Sequence, residues 1–369
     1  MPQPIRRIAI CTGGGDAPGL NAVIRATVTA AANRGWECVG IRDGYNGILQ
    51  PERYPMGGVM LLTRERVLSI AHLGGTILGS TNKGDPFHFP MPGPDGTLVD
   101  TDRSSEILDY FNREGIDALV ATGGDGSLTI ANELHRKGLR VVGVPKTIDN
   151  DLDKTFTTFG FDTAVSFATE CLDRLHSTAE SHHRVMVVEV MGRYAGWIAL
   201  HAGIAGEAHA ILIPEIPFDL DKVANKVQER EAHGHKYSLV VVAEGARPHH
   251  GQRAVLAPAE IGHAERLGGM GENVSRDLAQ RTGKDTRVVV LGHLLRGGSP
   301  TAFDRLAALR FGAAAVRALD DGLSGVMVSL GFPNVSYVNL EEVAGRMKAV
   351  PPDSDTLQTG RDLGVCFGD

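Results

Sequence analysis

The chain has 369 residues, 42% of them hydrophobic and 22% charged, with 46 glycines, the make-up of a soluble globular protein long enough for two domains. Its formal net charge of −7 excludes a general nucleic-acid binder, which needs a basic excess to neutralise phosphates, so any phosphate site must be built locally. The 4 cysteines, Cys11, Cys38, Cys171 and Cys366, are scattered without a C-x-x-C pair, which excludes a zinc or disulfide framework and implies a reducing compartment.

Residues 1–11 hold only a short apolar run before a glycine cluster, too short for a signal peptide. No stretch approaches the ~18 apolar residues of a membrane span. A cytoplasmic protein is expected.

Short apolar runs predict buried strands at 8–12, 38–41, 118–122, 141–144, 185–190, 210–213, 239–243 and 288–291. Strands apolar at every position suit a parallel sheet covered on both faces. Helical patterns lie between them at 20–33, 128–137, 164–177, 220–233 and 301–319, so the architecture is α/β with parallel sheets. The strands outnumber one comfortable sheet, and 149–161 is the expected crossing between two. Residues 84–101, rich in Pro and Gly, read as a surface loop or insertion.

Glycine clusters follow several strands, where open parallel sheets bind ligands. Gly13-Gly14-Gly15-Asp16-Ala17-Pro18-Gly19 opens a helix at Leu20, so its N–H groups and the helix dipole can cradle an anion. The alternative is a tight turn without a ligand. It is no dinucleotide fingerprint, because Pro18 occupies the place of the third glycine.

Gly123-Gly124-Asp125-Gly126-Ser127 follows the strand at 118–122 and carries an acid inside a phosphate-type loop. That arrangement makes sense if Mg²⁺ bridges Asp125 to phosphate oxygens; otherwise Asp125 caps the helix. Pro145-Lys146-Thr147-Ile148-Asp149-Asn150-Asp151 follows the strand at 141–144 and is expected to break it. It offers a base, a second acid and two phosphate donors in one loop, or else a turn rich in Asp and Asn. The pairs His182-His183 and His249-His250 lack further ligands and read as structural.

Taken in order, GGDAPG-x-N with Arg25, GGDGS, P-x-TIDND, Met191-Gly192-Arg193-Tyr194-Ala195-Gly196, Glu244 and Leu291-Gly292-His293-Leu294-Leu295-Arg296-Gly297-Gly298-Ser299-Pro300 resemble the motif series of phosphofructokinases, over about residues 7 to 330. The resemblance implies two Rossmann-like domains with mainly parallel sheets flanked by helices and the active site in the cleft between them. It divides the chain into 1–159 plus about 294–345 for the phosphoryl donor, and about 160–293 plus 346–369 for fructose 6-phosphate. It makes Asp149 the base for the sugar 1-hydroxyl, with Asp151, Thr147, Lys146 and Arg193 beside it, and Asp125 the Mg²⁺ ligand. The donor would lie against Gly15, Tyr45, Asn82, Lys83, Gly124, Asp125, Gly126 and Ser127. The sugar phosphate would meet Arg184, Arg287, His293 and Arg296, with Met191, Gly192, Arg193 and Glu244 on the sugar. In bacterial members the residues matching Arg184 and Arg287 cross a subunit interface, which implies a homo-oligomer, dimer or tetramer.

Within the family the donor is ATP or pyrophosphate, the latter usually accompanied by aspartate at the place of Gly126 and lysine at the place of Lys146. This chain pairs the permissive glycine with the lysine. ATP is favoured, because an absent obstruction admits the nucleotide while a flexible lysine tolerates it. Two departures stand out. Lys83 takes the place of an arginine facing the transferred phosphate, a point charge in place of a fork. Arg25 and Arg64 match the bacterial effector pocket, but Thr29, His176, His209, His233 and His235 replace its other charged residues, so regulation by ADP and phosphoenolpyruvate is not expected. A lipid or NAD kinase has only the GGDG loop in its favour, and a sensor without catalysis is disfavoured by Asp125, Asp149 and Asp151. From about Ser336 onward no motif is legible.

Overall fold

The computed structural model describes residues 4–93, 97–257 and 266–369. Strand Arg7–Thr12 sits inside an eight-stranded sheet that runs in the order Asn334–Asn339, Val326–Gly331, Val141–Thr147, Ala118–Gly123, Arg7–Thr12, Glu37–Ile41, Val59–Leu62, with Phe159–Gly160 pairing off the path. The interior pairs are parallel; antiparallel strands close both edges. A second sheet of four parallel strands runs Ala210–Leu212, Ser238–Ala243, Val185–Val190, Thr286–Val290. The expected fold class of two Rossmann-like halves is what forms.

The strands are apolar throughout because both faces of each sheet are covered. In the first, Ile8, Ile10, Val120 and Val142 pack against helices Leu20–Ala32 and Ala302–Asp320. The opposite face sets Ala9, Cys11 and Leu119 against Ser104–Glu114 and Asp125–Arg136. Small residues let the first helix pair approach closely: a Cβ at Gly312 would lie 2.6 Å from the Val23 carbonyl oxygen. The motif-poor C-terminus is divided: Leu340 and Val343 pack in the first sheet's core, while Val350, Leu357 and Phe367 join the second's. All 4 cysteines are free, and among the described residues no helix is long and apolar enough to cross a membrane.

Three local expectations change. Strand Val141–Thr147 does not stop at Pro145 but continues to Thr147, because Lys146 and Thr147 pair with Phe159 and Gly160. The helix expected from residue 128 begins at Asp125, bringing Asp125, Gly126 and Ser127 into its first turn. Segment 84–101 contains an antiparallel ribbon, Phe89–Pro92 with Leu98–Thr101; its residues 94–96 lie outside the described residues.

Candidate active site

In the first sheet the chain order reverses beside Arg7–Thr12, with Glu37–Ile41 on one side and Ala118–Gly123 on the other. Loops leaving such a switch point diverge and open a crevice at the carboxyl ends of the strands. Both glycine loops leave there. Gly13 N–H donates to the Thr122 carbonyl at 2.9 Å, and the Ser127 side chain is wedged between Gly13 and Gly123, where any Cβ would collide with it. Gly19, at φ 111°, starts the following helix where a Cβ would lie 2.7 Å from the Phe159 ring, a conformation that suits glycine.

The crevice is a cavity of about 740 Å³, lined by both glycine loops, by Lys146, Thr147, Asp149 and Asp151, and by Met191, Arg193, Tyr194, Glu244 and Arg296. The first group comes from the carboxyl ends of the eight-stranded sheet. The second comes from the turns after Val185–Val190 and Ser238–Ala243 and from a short 3₁₀ turn, Gly292–Arg296. The two halves thus face each other across the cavity.

Lys146 is buried and its ammonium donates to the Gly15 carbonyl oxygen. Arg296 donates to the Asp16 carbonyl at 3.1 Å. A Cβ at Gly15 would lie 2.8 Å from the Arg296 guanidinium, so glycine there seats the arginine. The first loop is therefore backed by two cations. Ser80 Oγ donates to the Gly14 carbonyl at 2.5 Å, and Gly14 N–H donates to the Thr81 carbonyl at 3.0 Å. These bonds dock the segment carrying Asn82 and Lys83, both exposed at the cavity rim.

Burial works against the charge of Asp149, Asp151, Glu244 and Lys146. It raises Asp149 to about 6, aided by Asp151 and opposed by Arg296, Lys146 and Arg193. Asp151 is raised by burial too and pulled back by its own backbone and the Thr147 hydroxyl. Glu244 rises to about 7, by burial and then Asp149; Lys146 falls to about 8, by burial and then Arg296. Acids and bases displaced toward neutrality inside one cavity are the electrostatic mark of a site prepared for charged ligands. Asp149 Oδ1 is buried and has no hydrogen-bond partner, while its backbone N–H donates to Thr147 Oγ1 at 3.0 Å.

Asp125 faces the same cavity, raised by burial and partly offset by the Gly345 N–H, which donates to its Oδ1 at 2.8 Å. Its charge in turn helps raise Asp151. No cluster of three or more His, Cys, Asp or Glu suited to a metal occurs among the described residues. A lone carboxylate beside an anion cradle nevertheless fits Mg²⁺, which keeps several waters and takes phosphate oxygens as ligands.

Other expected residues sit differently. Tyr45 lines the cavity, but its ring belongs to the core and its hydroxyl lies buried by the Cys11 thiol. Gly126 is exposed, and a Cβ there would meet nothing within 4 Å. Gly192, at φ 140°, shapes the turn carrying Arg193 without lining the cavity. Arg184 and Arg287 both pair with Asp285; they stand at the amino ends of their strands, away from the cavity of the chain that carries them. His293 is exposed beside Phe167, Val290 and Leu294 in a separate recess.

The cavity also includes Thr81, Asp85, His88 and Tyr194, which sequence reasoning did not single out. Tyr194 was visible inside the MGRYAG motif. His88, paired with Asp100 at 2.9 Å on the ribbon, carried no local signal.

A family model for phosphofructokinase matches residues 7–319. The chain is 51% identical over 369 residues to the ATP-dependent 6-phosphofructokinase of Chloroflexus aggregans, covering 100% of this chain and 99% of that one. It is 49% identical to the pyrophosphate–fructose 6-phosphate 1-phosphotransferase of Amycolatopsis mediterranei, covering 94% of this chain and 96% of the relative. Among solved structures, Pichia pastoris phosphofructokinase superposes with a TM-score of 0.78 at 29% identity; the match covers 98% of this chain but only 36% of that longer one. The pyrophosphate-dependent phosphofructokinase of Marinobacter aquaeolei shares the fold, with a TM-score of 0.77 at 23% identity, covering 99% and 93% of the two chains.

Proposed function

The chain belongs to the phosphofructokinase family, and from that premise we propose that it transfers a phosphoryl group from ATP to the 1-hydroxyl of fructose 6-phosphate, forming fructose 1,6-bisphosphate and ADP in glycolysis. The observation that carries the chemistry is the buried Oδ1 of Asp149 without a partner, in a carboxyl raised to about 6. A sugar hydroxyl delivered there gives that oxygen its hydrogen bond and gives the hydroxyl its base. At neutral pH the carboxylate is ionised and accepts the proton as the hydroxyl oxygen bonds to phosphorus and the bond to the leaving phosphate breaks.

Phosphoryl transfer needs alignment and charge neutralisation, not a covalent enzyme intermediate. The glycine loops offer N–H groups to the donor phosphates. Lys146 and Arg296 are bonded to carbonyls of the first loop, and Arg193 faces the cavity from the sugar side. When bound at Asp125, Mg²⁺ would neutralise charge on the donor phosphates. Glu244 is placed to accept sugar hydroxyls.

Pyrophosphate is the second reading, favoured by the buried Lys146 and by the Amycolatopsis relative's name. ATP is preferred because Gly126 leaves the cavity open beside the second loop. Parallel kcat/KM measurements with the two donors decide: dominance of ATP upholds this reading, and dominance of pyrophosphate replaces it.

The position of Arg184 and Arg287 supports a homo-oligomer in which they complete a neighbouring chain's sugar-phosphate site. Sheet membership supports a donor half of 1–159 plus about 294–345 and a sugar half of about 160–293 plus 346–369. The free cysteines and the glycolytic role support a cytoplasmic protein.

A further inference from the structure

Beyond the last strand, residues 345–350 run across the cleft as a strap. Gly345 N–H donates to Asp125 Oδ1 at 2.8 Å. Met347 bridges Leu152 in antiparallel fashion, and Lys348 N–H donates to the Asp151 carbonyl at 2.8 Å. Val350 N–H donates to Glu215 Oε1 at 2.8 Å, and the same carboxylate receives Gly196 N–H at 3.0 Å. One short segment thus touches Asp125, the loop after Thr147 and the Glu215 carboxylate that receives Gly196 N–H.

We propose that Lys348 is a positioning residue that holds the catalytic loop 149–156 in register across the cleft. Its ammonium has three donors, and all three are taken: Asn150 Oδ1 at 3.1 Å, the Thr155 carbonyl at 3.0 Å and the Phe156 carbonyl at 3.2 Å. No donor is left for a substrate phosphate. The other side of the loop is fixed to the first sheet, where Ser329 Oγ donates to the Lys154 carbonyl at 2.5 Å and Leu330 N–H to Thr155 Oγ1 at 3.1 Å. Asn150 and Lys154 sit at φ 50° and 61°, a left-handed conformation that persists only where surrounding bonds over-determine it.

Lys348 is itself anchored to the second half. Trp197 Nε1–H donates to its carbonyl at 2.8 Å, and the ammonium lies 5.7 Å from the Trp197 ring. Burial opposes this charge, pushing it down to about 8. A cation kept in place against burial, with its hydrogen-bond capacity saturated by one loop, acts on that loop. Asp149 and Asp151 are thereby tied to the half carrying Arg193 and Glu244.

The inference rests on the catalytic reading of Asp149, and its test separates the two. Lys348→Met keeps the aliphatic stem under Trp197 and removes the donors. Its kcat is expected to fall about tenfold to 100-fold with KM values within about threefold of wild type, as for a misplaced catalytic group. Amide exchange across 150–158 is expected to accelerate about tenfold or more while the core strands keep their protection. Lys348→Arg, retaining cation and donors, should recover most of both. Unchanged kcat and unchanged local exchange overturn the proposal, as does exchange that accelerates uniformly with full kcat per folded enzyme. Should Lys348→Met not fold, Lys348→Gln is read in the same way. A wild-type enzyme inactive with both donors would defeat the catalytic reading, while the exchange comparison still decides the role of Lys348.

Discussion

The Lys146 ammonium donates to the carbonyl oxygen of Gly15, so a charge carried by one strand is applied to the loop that follows another. That bond fixes a cation beside the glycine loop within the cavity that both line. It also reconciles Lys146 with a nucleotide donor, since the ammonium is held at the Gly15 carbonyl and the space beside Gly126 stays open.

Gly126→Asp is expected to fold normally, because a Cβ at that position meets nothing within 4 Å. The added carboxylate would face donor phosphate oxygens and lower kcat/KM for ATP by about 100-fold, a loss of about 2.7 kcal/mol in transition-state binding, with a smaller loss for pyrophosphate. Undiminished ATP activity would show that donor choice is set elsewhere.

The pH profile of kcat/KM should be bell-shaped. Asp149, raised to about 6 by burial and Asp151, must lose its proton to act as base, so activity rises through that region. Lys146, lowered to about 8 by burial, loses its charge above it, so activity falls. The rising limb reports the coupled Asp149–Asp151 pair. Asp149→Asn should abolish that limb and lower kcat by about 1,000-fold; a retained limb would assign the base to another group.

The same substitution should stabilise the protein at neutral pH. With its pKa raised from 3.8 to about 6, Asp149 binds more proton in the native than in the unfolded state across that interval. Its contribution to stability therefore falls as pH rises from 3.8 to about 6 and stays low above it. Asp149→Asn should gain on the order of 3 kcal/mol at pH 7 and little near pH 4, measured by denaturant unfolding at the two pH values. A gain equal at both would assign it to packing.

Phosphoenolpyruvate should leave the fructose 6-phosphate saturation curve unchanged, and ADP should act only as a product competing with ATP. His176 bonds the Gly206 carbonyl at 2.9 Å and the Tyr237 hydroxyl at 3.1 Å, and His209 Nδ1 accepts Leu239 N–H at 2.8 Å. Burial pushes His209 down to about 3, leaving it neutral, while Arg64 donates to Asn33 Oδ1 at 2.5 Å. Inhibition by phosphoenolpyruvate relieved by ADP would overturn this expectation.

What the sequence determined by itself was local: apolar runs that must be covered on both faces, glycine loops after strands, and the acid-bearing segments Gly123–Ser127 and Pro145–Asp151. Residues close in the chain share those patterns, so their chemistry can be read before folding. Local reading also misled. Pro145 suggested a strand end that pairing with Phe159–Gly160 carries past, and the glycines around Asp125 hid the start of a helix whose first turn packs Ser127 between two loops.

Only the tertiary structure brought Arg296 onto the Asp16 carbonyl, 280 residues away in sequence, and kept Arg184 and Arg287 at the far end of their sheet. It also laid the strap with Lys348 across the loop 149–156, where no motif announced it. Such contacts depend on which elements the two cores bring together, and local periodicity does not encode pairings at that separation.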